Sequence, residues 1–250
     1  MRFVRTLLRL PLLAVHVGVL LPLVVAVLVF PGSRRWIWNG ESAHGRVIRW
    51  WSAGLMRVFG FRVRRFGTPL AGPVLFVANH VSWIDIELFH SQLWAGFVSK
   101  AEVERWPLVG ELASLGGTLY HHRGSQDSLH GVMHQMLLRL QAGRPVAVFP
   151  EGRATDGAAL GVFHARIFQP AVLANVPAQP VALRYGAGGE AQRVVAFAPG
   201  ESFAGNFIRL LGEPGRVAEV HFLEPVAPSE DGRRRMADTC RERIAAAMAR

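Results

Sequence analysis

The constraint that most narrows what this chain can fold into is a repeated alternation of segments. Short β-branched or aromatic runs each end abruptly in a polar turn, and apolar residues at helical spacing follow. Residues 74–78 (VLFVA) run into NHVSWID, where a helix is predicted from Ser82 to about Ser91. Residues 96–99 deliver Lys100, and residues 117–120 end at HHRG before a helical pattern over 127–141 that Gly143 closes. Residues 145–149 end at PEGR, before a helix over 163–174 and a proline-bounded strand start at 176–181. Strand, turn and helix in repetition predict an α/β fold, a mixed and largely parallel sheet flanked by helices, with ligands at the strand C-terminal ends. Residues 61–66, where Arg alternates with apolar residues, predict a first strand with one wet face. Strands over 193–197 and 216–223 extend the sheet, and a last helix covers about 230–250.

The most chemical of these turns holds His80 and Asp85. Ser82 followed three residues later by Asp85 fits a capping box, and on that reading Asp85 only caps a helix while His80 is a polar turn residue. Alternatively, Asp85 accepts a hydrogen bond from one imidazole nitrogen and leaves the other as a base able to deprotonate a hydroxyl, with no Ser or Cys nucleophile required. His130 and His134 stand four apart on a predicted helix but lack a third ligand or a neighbouring acid, so no metal site and no cofactor is expected.

Residues 10–30 carry no acidic or basic charge apart from His16, long enough to span a bilayer and too long for a cleaved signal. Arginines flank both ends, so the positive-inside rule does not choose an orientation, and both ends can face the cytoplasm. With Pro22 mid-segment and a Trp- and Arg-rich stretch at 46–61 that reads as an interfacial amphipathic helix, a membrane-dipping hairpin is favoured over a single anchor followed by a core helix. Residues 1–60 are thus read as a membrane-anchoring helical region and 61–250 as the α/β domain. The net charge of +10 implies an anionic partner; its arginines are scattered beside apolar segments without a nucleic-acid motif, so membrane lipid is expected rather than nucleic acid. Of the 28 basic residues only Lys100 is Lys, which marks it as a candidate site residue because an ammonium and a guanidinium are not equivalent donors. Cys240 stands alone, so no intrachain disulfide can form.

Four segments, NHVSWID (79–85), GTLYHHRG (117–124), FPEGR (149–153) and VPAQP (176–180), are read as polar turns after strands. In this order and spacing they resemble the four motifs of the glycerolipid acyltransferases related to bacterial 1-acyl-sn-glycerol-3-phosphate acyltransferase. The resemblance covers residues 61–181, about half the chain. It implies transfer of a fatty acyl group from acyl-CoA or acyl-carrier protein to the hydroxyl of a lysolipid, at the cytoplasmic face of a bacterial inner membrane. His80 would be the base and Asp85 its orienter. Arg123, Glu151 and Gly152 would belong to the acceptor pocket, the Arg suited to a phosphate by its fork of donors. Lys100, in the family-like context KAEVERWPLVG, would bind phosphate or steady the thioester oxyanion.

Two departures bear on the acceptor. The second motif usually carries an acid before its Arg, whereas His121-His122-Arg123 keeps only the Arg; Arg153 stands where the third motif usually continues with Thr. Both add positive character to a headgroup pocket. Lysophosphatidate is the first expectation and a lyso-aminolipid such as lyso-ornithine lipid the second. A lipid-binding protein without turnover and a hydrolase are the other classes, the latter disfavoured by the absence of a G-x-S-x-G elbow.

Overall fold

The computed structural model describes residues 1–122, 124–228 and 232–249. Helix α1 (Arg2–Val29) is continuous, with a π-helical turn at His16–Leu20. A two-residue hairpin leads to α2 (Ala43–Val58), whose N-cap Ser42 accepts from the Gly45 amide. Then follow β1 (Phe61–Phe66), β2 (Leu75–Ala78), α3 (Ile84–His90), β3 (Gly96–Lys100), α4 (Val109–Leu115), β4 (Leu119–His121), α5 (Gln126–Gln141) and β5 (Val146–Val148). The chain continues through α6 (Gln169–Leu173), β6 (Ala178–Tyr185), α7 (Gln192–Val195), α8 (Phe203–Leu211), β7 (Arg216–Phe222) and α9 (Gly232–Met248).

Seven strands make one sheet in the order β1-β7-β6-β2-β5-β3-β4. β6, β2, β5, β3 and β4 are mutually parallel, and β1 and β7 run together against them. β2 lies at the centre with every residue buried, which is why it reads as an unbroken apolar run rather than an alternating one. One sheet face packs on α2, α3 and α8 through Met56, Phe59, Ile84, Leu88, Phe89 and Leu210; the other packs on α5, α6 and α9. Cys240 lies in that second layer, where burial pushes its thiol up to about 12.

Strand length sets up the site. Ala78, the last residue of β2, pairs with Val181, but β6 continues to Tyr185, about 13 Å further at the usual strand rise. The β6 edge left without a partner there is closed by side-chain amides. Asn79 exchanges two hydrogen bonds with Leu183 (2.9 and 2.8 Å), and Gln192 donates to the Leu183 carbonyl and accepts from the Tyr185 amide (3.0 Å each). This explains why residues 193–197, expected as a strand, instead hold the end of the short helix α7 and the bend after it. The sheet edge is already satisfied, and Val195 turns into the core.

Other expectations are corrected in the same terms. Stretch 163–174 is a 3-10 turn (Ala165–Phe168) leading into α6, restarted by Pro170. VPAQP does not follow a strand but opens β6, at the sheet edge opposite the other turns. Gln179 there is structural, accepting from the Leu70 amide and donating to the Thr68 and Leu223 carbonyls. Helix α8 was not foreseen. The 46–61 stretch is less interfacial than expected, since α2 buries Ile48, Leu55 and Met56 and lies between α1 and the sheet layer. Trp50 on its outer side stays exposed.

Helix α1 crosses the body from one sheet edge to the other. At its start Arg2 pairs with Glu213, and Arg5 and Arg9 donate to the Gly212, Leu211 and Glu213 carbonyls. Its middle packs on α2, where His16 stacks on Trp51 (5.0 Å) beside Gly54, a position at which a Cβ would meet the imidazole at 2.6 Å. Its last turns bury Leu21 and Val24 and reach α4, while Leu7, Leu8, Leu12, Leu23 and Val29 stay exposed. The 28 residues, about 42 Å of helix, exceed a hydrocarbon core of about 30 Å. The body touches this helix near both ends.

Candidate active site

His80 follows β2 by two residues, in the turn that feeds α3. Its ring stacks flat on Phe149 (centroids 4.0 Å apart, 10° between planes) at the end of neighbouring β5. Its Nδ1 lies 2.8 Å from Asp85 Oδ2. Asp85 is fully buried, and the same oxygen also accepts from the backbone amides of Val81 (2.6 Å) and Ser82 (2.9 Å). With three donors converging on it, this oxygen is a fixed anionic acceptor, so Nδ1 carries the proton and Nε2 is left as the basic nitrogen. The imidazole is 18% exposed, so the ring is open to solvent on part of its surface.

Capping and orienting prove compatible, but not through Ser82. The Asp85 carboxylate closes half of the expected box by accepting the Ser82 amide. The helix starts later, at Ile84, with no side-chain cap, and Ser82 Oγ donates instead to Asn206 Oδ1 at 3.0 Å. Asn206 on α8 also accepts from Trp83 Nε1 (3.0 Å), so the turn is clamped from the C-terminal part of the chain. The second carboxylate oxygen of Asp85 takes the Tyr185 hydroxyl at 2.6 Å. Burial, the Asp85 charge and this hydrogen bond hold the phenol well above its ordinary pKa, so it stays a donor. Sequence reasoning missed Tyr185 and Asn206 because nothing local ties them to residues 80–85.

Glu151 is brought to the same place. Its Oε1 accepts the His80 amide (3.0 Å) and its Oε2 the Gly161 amide (2.7 Å), joining the His80 turn to the loop at 152–161. Burial pushes its carboxyl up, opposed by those two amides. Thr155 completes the join, its amide (2.8 Å) and hydroxyl (3.1 Å) both donating to the His80 carbonyl. Beside Glu151 a cavity of about 160 Å³ opens, walled by Asn79, Thr155, Gly157, Ala158 and Gln192. Gly152 makes the turn after Glu151 at φ +70°, and Arg153 is exposed.

Lys100 ends β3 on the same sheet edge, with Nζ 5.4 Å from the Trp106 ring centre. Trp106 in turn meets Phe203 of α8 (5.2 Å), part of an aromatic wall with Trp83 and Phe207. Arg123 lies outside the described residues. Among the described residues no cluster of three or more His, Cys, Asp or Glu side chains is set to hold a metal ion.

The sequence model of the acyltransferase family matches residues 61–184. The lyso-ornithine lipid O-acyltransferase of Pseudomonas aeruginosa is 41% identical over 186 residues, 74% of this chain and 71% of that protein. The 1-acyl-sn-glycerol-3-phosphate acyltransferase of Neisseria gonorrhoeae is 35% identical over 126 residues, 50% of this chain and 49% of that protein. The crystal structure of the 1-acyl-sn-glycerophosphate acyltransferase PlsC from Thermotoga maritima superposes with a TM-score of 0.73 at 19% identity, covering 100% of this chain and 99% of that one, a likeness of fold. The chain belongs to the acyltransferase family, as an enzyme of the lysolipid O-acyltransferase type.

Proposed function

We propose that the protein transfers a fatty acyl group from a thioester, acyl-CoA or acyl-carrier protein, to the hydroxyl of a lysolipid, with lyso-ornithine lipid the preferred acceptor and lysophosphatidate the second. The observation that carries the chemistry is the His80–Asp85 pair, with Nδ1 committed to a buried carboxylate. His80 Nε2 takes the hydroxyl proton as the lipid oxygen attacks the thioester carbonyl. The tetrahedral intermediate collapses, the C–S bond breaks, and the departing sulfur takes the proton back from Nε2. Asp85 holds the ring and faces the imidazolium that forms between the two steps. Glu151, with both oxygens engaged by backbone amides, fixes the His80 turn and the cavity wall rather than touching the reacting atoms.

Two features support the acceptor choice. The likeness to the lyso-ornithine lipid enzyme extends over 74% of this chain, against 50% for the lysophosphatidate enzyme. The second motif also lacks its usual acid. Membrane attachment follows from α1: a helix that meets the body near both ends lies along the bilayer surface, its outer apolar face in the cytoplasmic leaflet, instead of crossing it.

The test is a purified full chain offered acyl-CoA or acyl-carrier protein with lyso-ornithine lipid, lysophosphatidate or lysophosphatidylcholine, scored by thiol release and by mass of the lipid product. Higher kcat/KM on lyso-ornithine lipid is expected. Preference for lysophosphatidate would reverse the acceptor assignment, thiol release without acylated lipid would make the protein a hydrolase, and lipid retention without thiol release a binder.

A further inference from the structure

Away from the catalytic edge, three guanidinium groups converge on one notch. Arg34, Arg139 and Arg144 line it with Trp94, Gly117 and Pro145, where β3, β4 and β5 begin. Among the described residues none of the three has a carboxylate partner. Arg34 and Arg139 reach only backbone carbonyls, those of Leu115 and Gly117. Arg139 sits in the last turn of α5, where a cation answers the helix dipole, and that accounts for one guanidinium but not for three together.

The fold makes room for this arrangement. A Cβ on Gly96 would collide with the Arg139 guanidinium, and one on Gly117, which turns at φ +89°, would stand 3.5 Å from it. Burial first, and then the like charges of Arg144 and Arg34, hold the Arg139 guanidinium below its ordinary pKa.

Position identifies the occupant. Arg34 follows the last residue of α1 by five positions, and Trp36, Ile37 and Trp38 beside it are exposed, as side chains at the headgroup level of a membrane are. The notch therefore lies at the far end of the apolar helix from Arg2, Arg5 and Arg9. We propose that Arg34, Arg139 and Arg144 bind the phosphate of an anionic membrane phospholipid, a site separate from the acceptor pocket that fixes the rotation of the enzyme on the membrane. A guanidinium trio provides the forked donors that suit a phosphate, and the tryptophans place that phosphate within a bilayer surface.

The experiment is vesicle flotation of the full chain at constant ionic strength, with phosphatidylcholine alone or with one third phosphatidylglycerol. Arg34→Gln/Arg144→Gln is compared with wild type and with Arg234→Gln/Arg235→Gln, a charge-matched control at exposed positions on α9 outside the notch. The notch variant should lose about tenfold or more of the phosphatidylglycerol-dependent binding, and the control much less. Binding to phosphatidylcholine and turnover in detergent micelles should be unchanged in both. Equal losses in variant and control would make the effect one of net charge and overturn the site. So would undiminished phosphatidylglycerol dependence of the notch variant. Displacement of wild type by millimolar inorganic phosphate would reassign the notch to a free anion.

Discussion

Asp85→Asn isolates the charge of the carboxylate, because the surrounding donors can tolerate the shape of an amide. Three of the four groups on Asp85 converge on Oδ2: His80 Nδ1 and the amides of Val81 and Ser82. An Asn carbonyl oxygen placed there keeps all three, and its NH2 then faces the Tyr185 hydroxyl, which can rotate to accept. What disappears is the negative charge facing the imidazolium formed during proton transfer. At about 4 Å and an effective dielectric of about 20, that attraction is about 4 kcal/mol. If it is realised only in the transition state, turnover should fall by about three orders of magnitude, from roughly 1.36 kcal/mol per decade. The opposite amide orientation would turn an NH2 toward Nδ1, force the proton onto Nε2 and abolish the base, so the loss can only be larger. The assay is thiol release from acyl-CoA with lysolipid in detergent micelles, with KM determined separately. Asp85→Asn turnover within about tenfold of wild type, in a folded protein, would refute a charged orienter, since hydrogen-bonding geometry alone would then suffice.

Tyr185→Phe removes the donor to Asp85 Oδ1 inside a buried site; stability should drop by about 1–3 kcal/mol in urea unfolding and kcat should fall while KM holds, whereas unchanged values in both would leave the tyrosine without a role. Gly161→Ala puts a Cβ 2.7 Å from Glu151 Oε2, so the His80 turn should loosen and turnover fall more than tenfold, checked against Gly131→Ala, a helix position with open space. Glu87 on α3 bonds Ser52 of α2 at 2.7 Å, and burial pushes its carboxyl up to about 7. A raised carboxyl binds more protons folded than unfolded between pH 4.5 and 7, so it erodes stability as pH rises through that window. The stability gap between Glu87→Gln and wild type should therefore shift in favour of the variant by about 2–3 kcal/mol from pH 4.5 to 7.5. His90 and His44, held down to about 4 by burial, act in the opposite sense in both proteins and cancel in the comparison; a gap independent of pH would show Glu87 ionised throughout.

What was legible in the sequence is what short-range physics controls. Residues 74–78 could be read because a strand buried on both faces must be apolar throughout, and the His80–Asp85 pair because both partners sit on one turn, five residues apart. Tyr185 and Asn206 are 100 and 124 residues from their partners Asp85 and Ser82, and no periodicity encodes such a contact. The strand expected at 193–197 failed for a related reason: Val194-Val195 has strand propensity, but Asn79 and Gln192 had already satisfied the β6 edge it would have joined. The acceptor headgroup is less legible still. Of its proposed contacts, Arg153 is an exposed side chain on a loop, where residue type is set neither by packing nor by backbone geometry. The core thus fixes His80 and Asp85, whereas on the proposed chemistry a headgroup change needs only loop substitutions that leave every hydrogen bond to Asp85 intact. On the proposed function, that separation lets one fold accept different lysolipid headgroups on an unchanged His80–Asp85 pair.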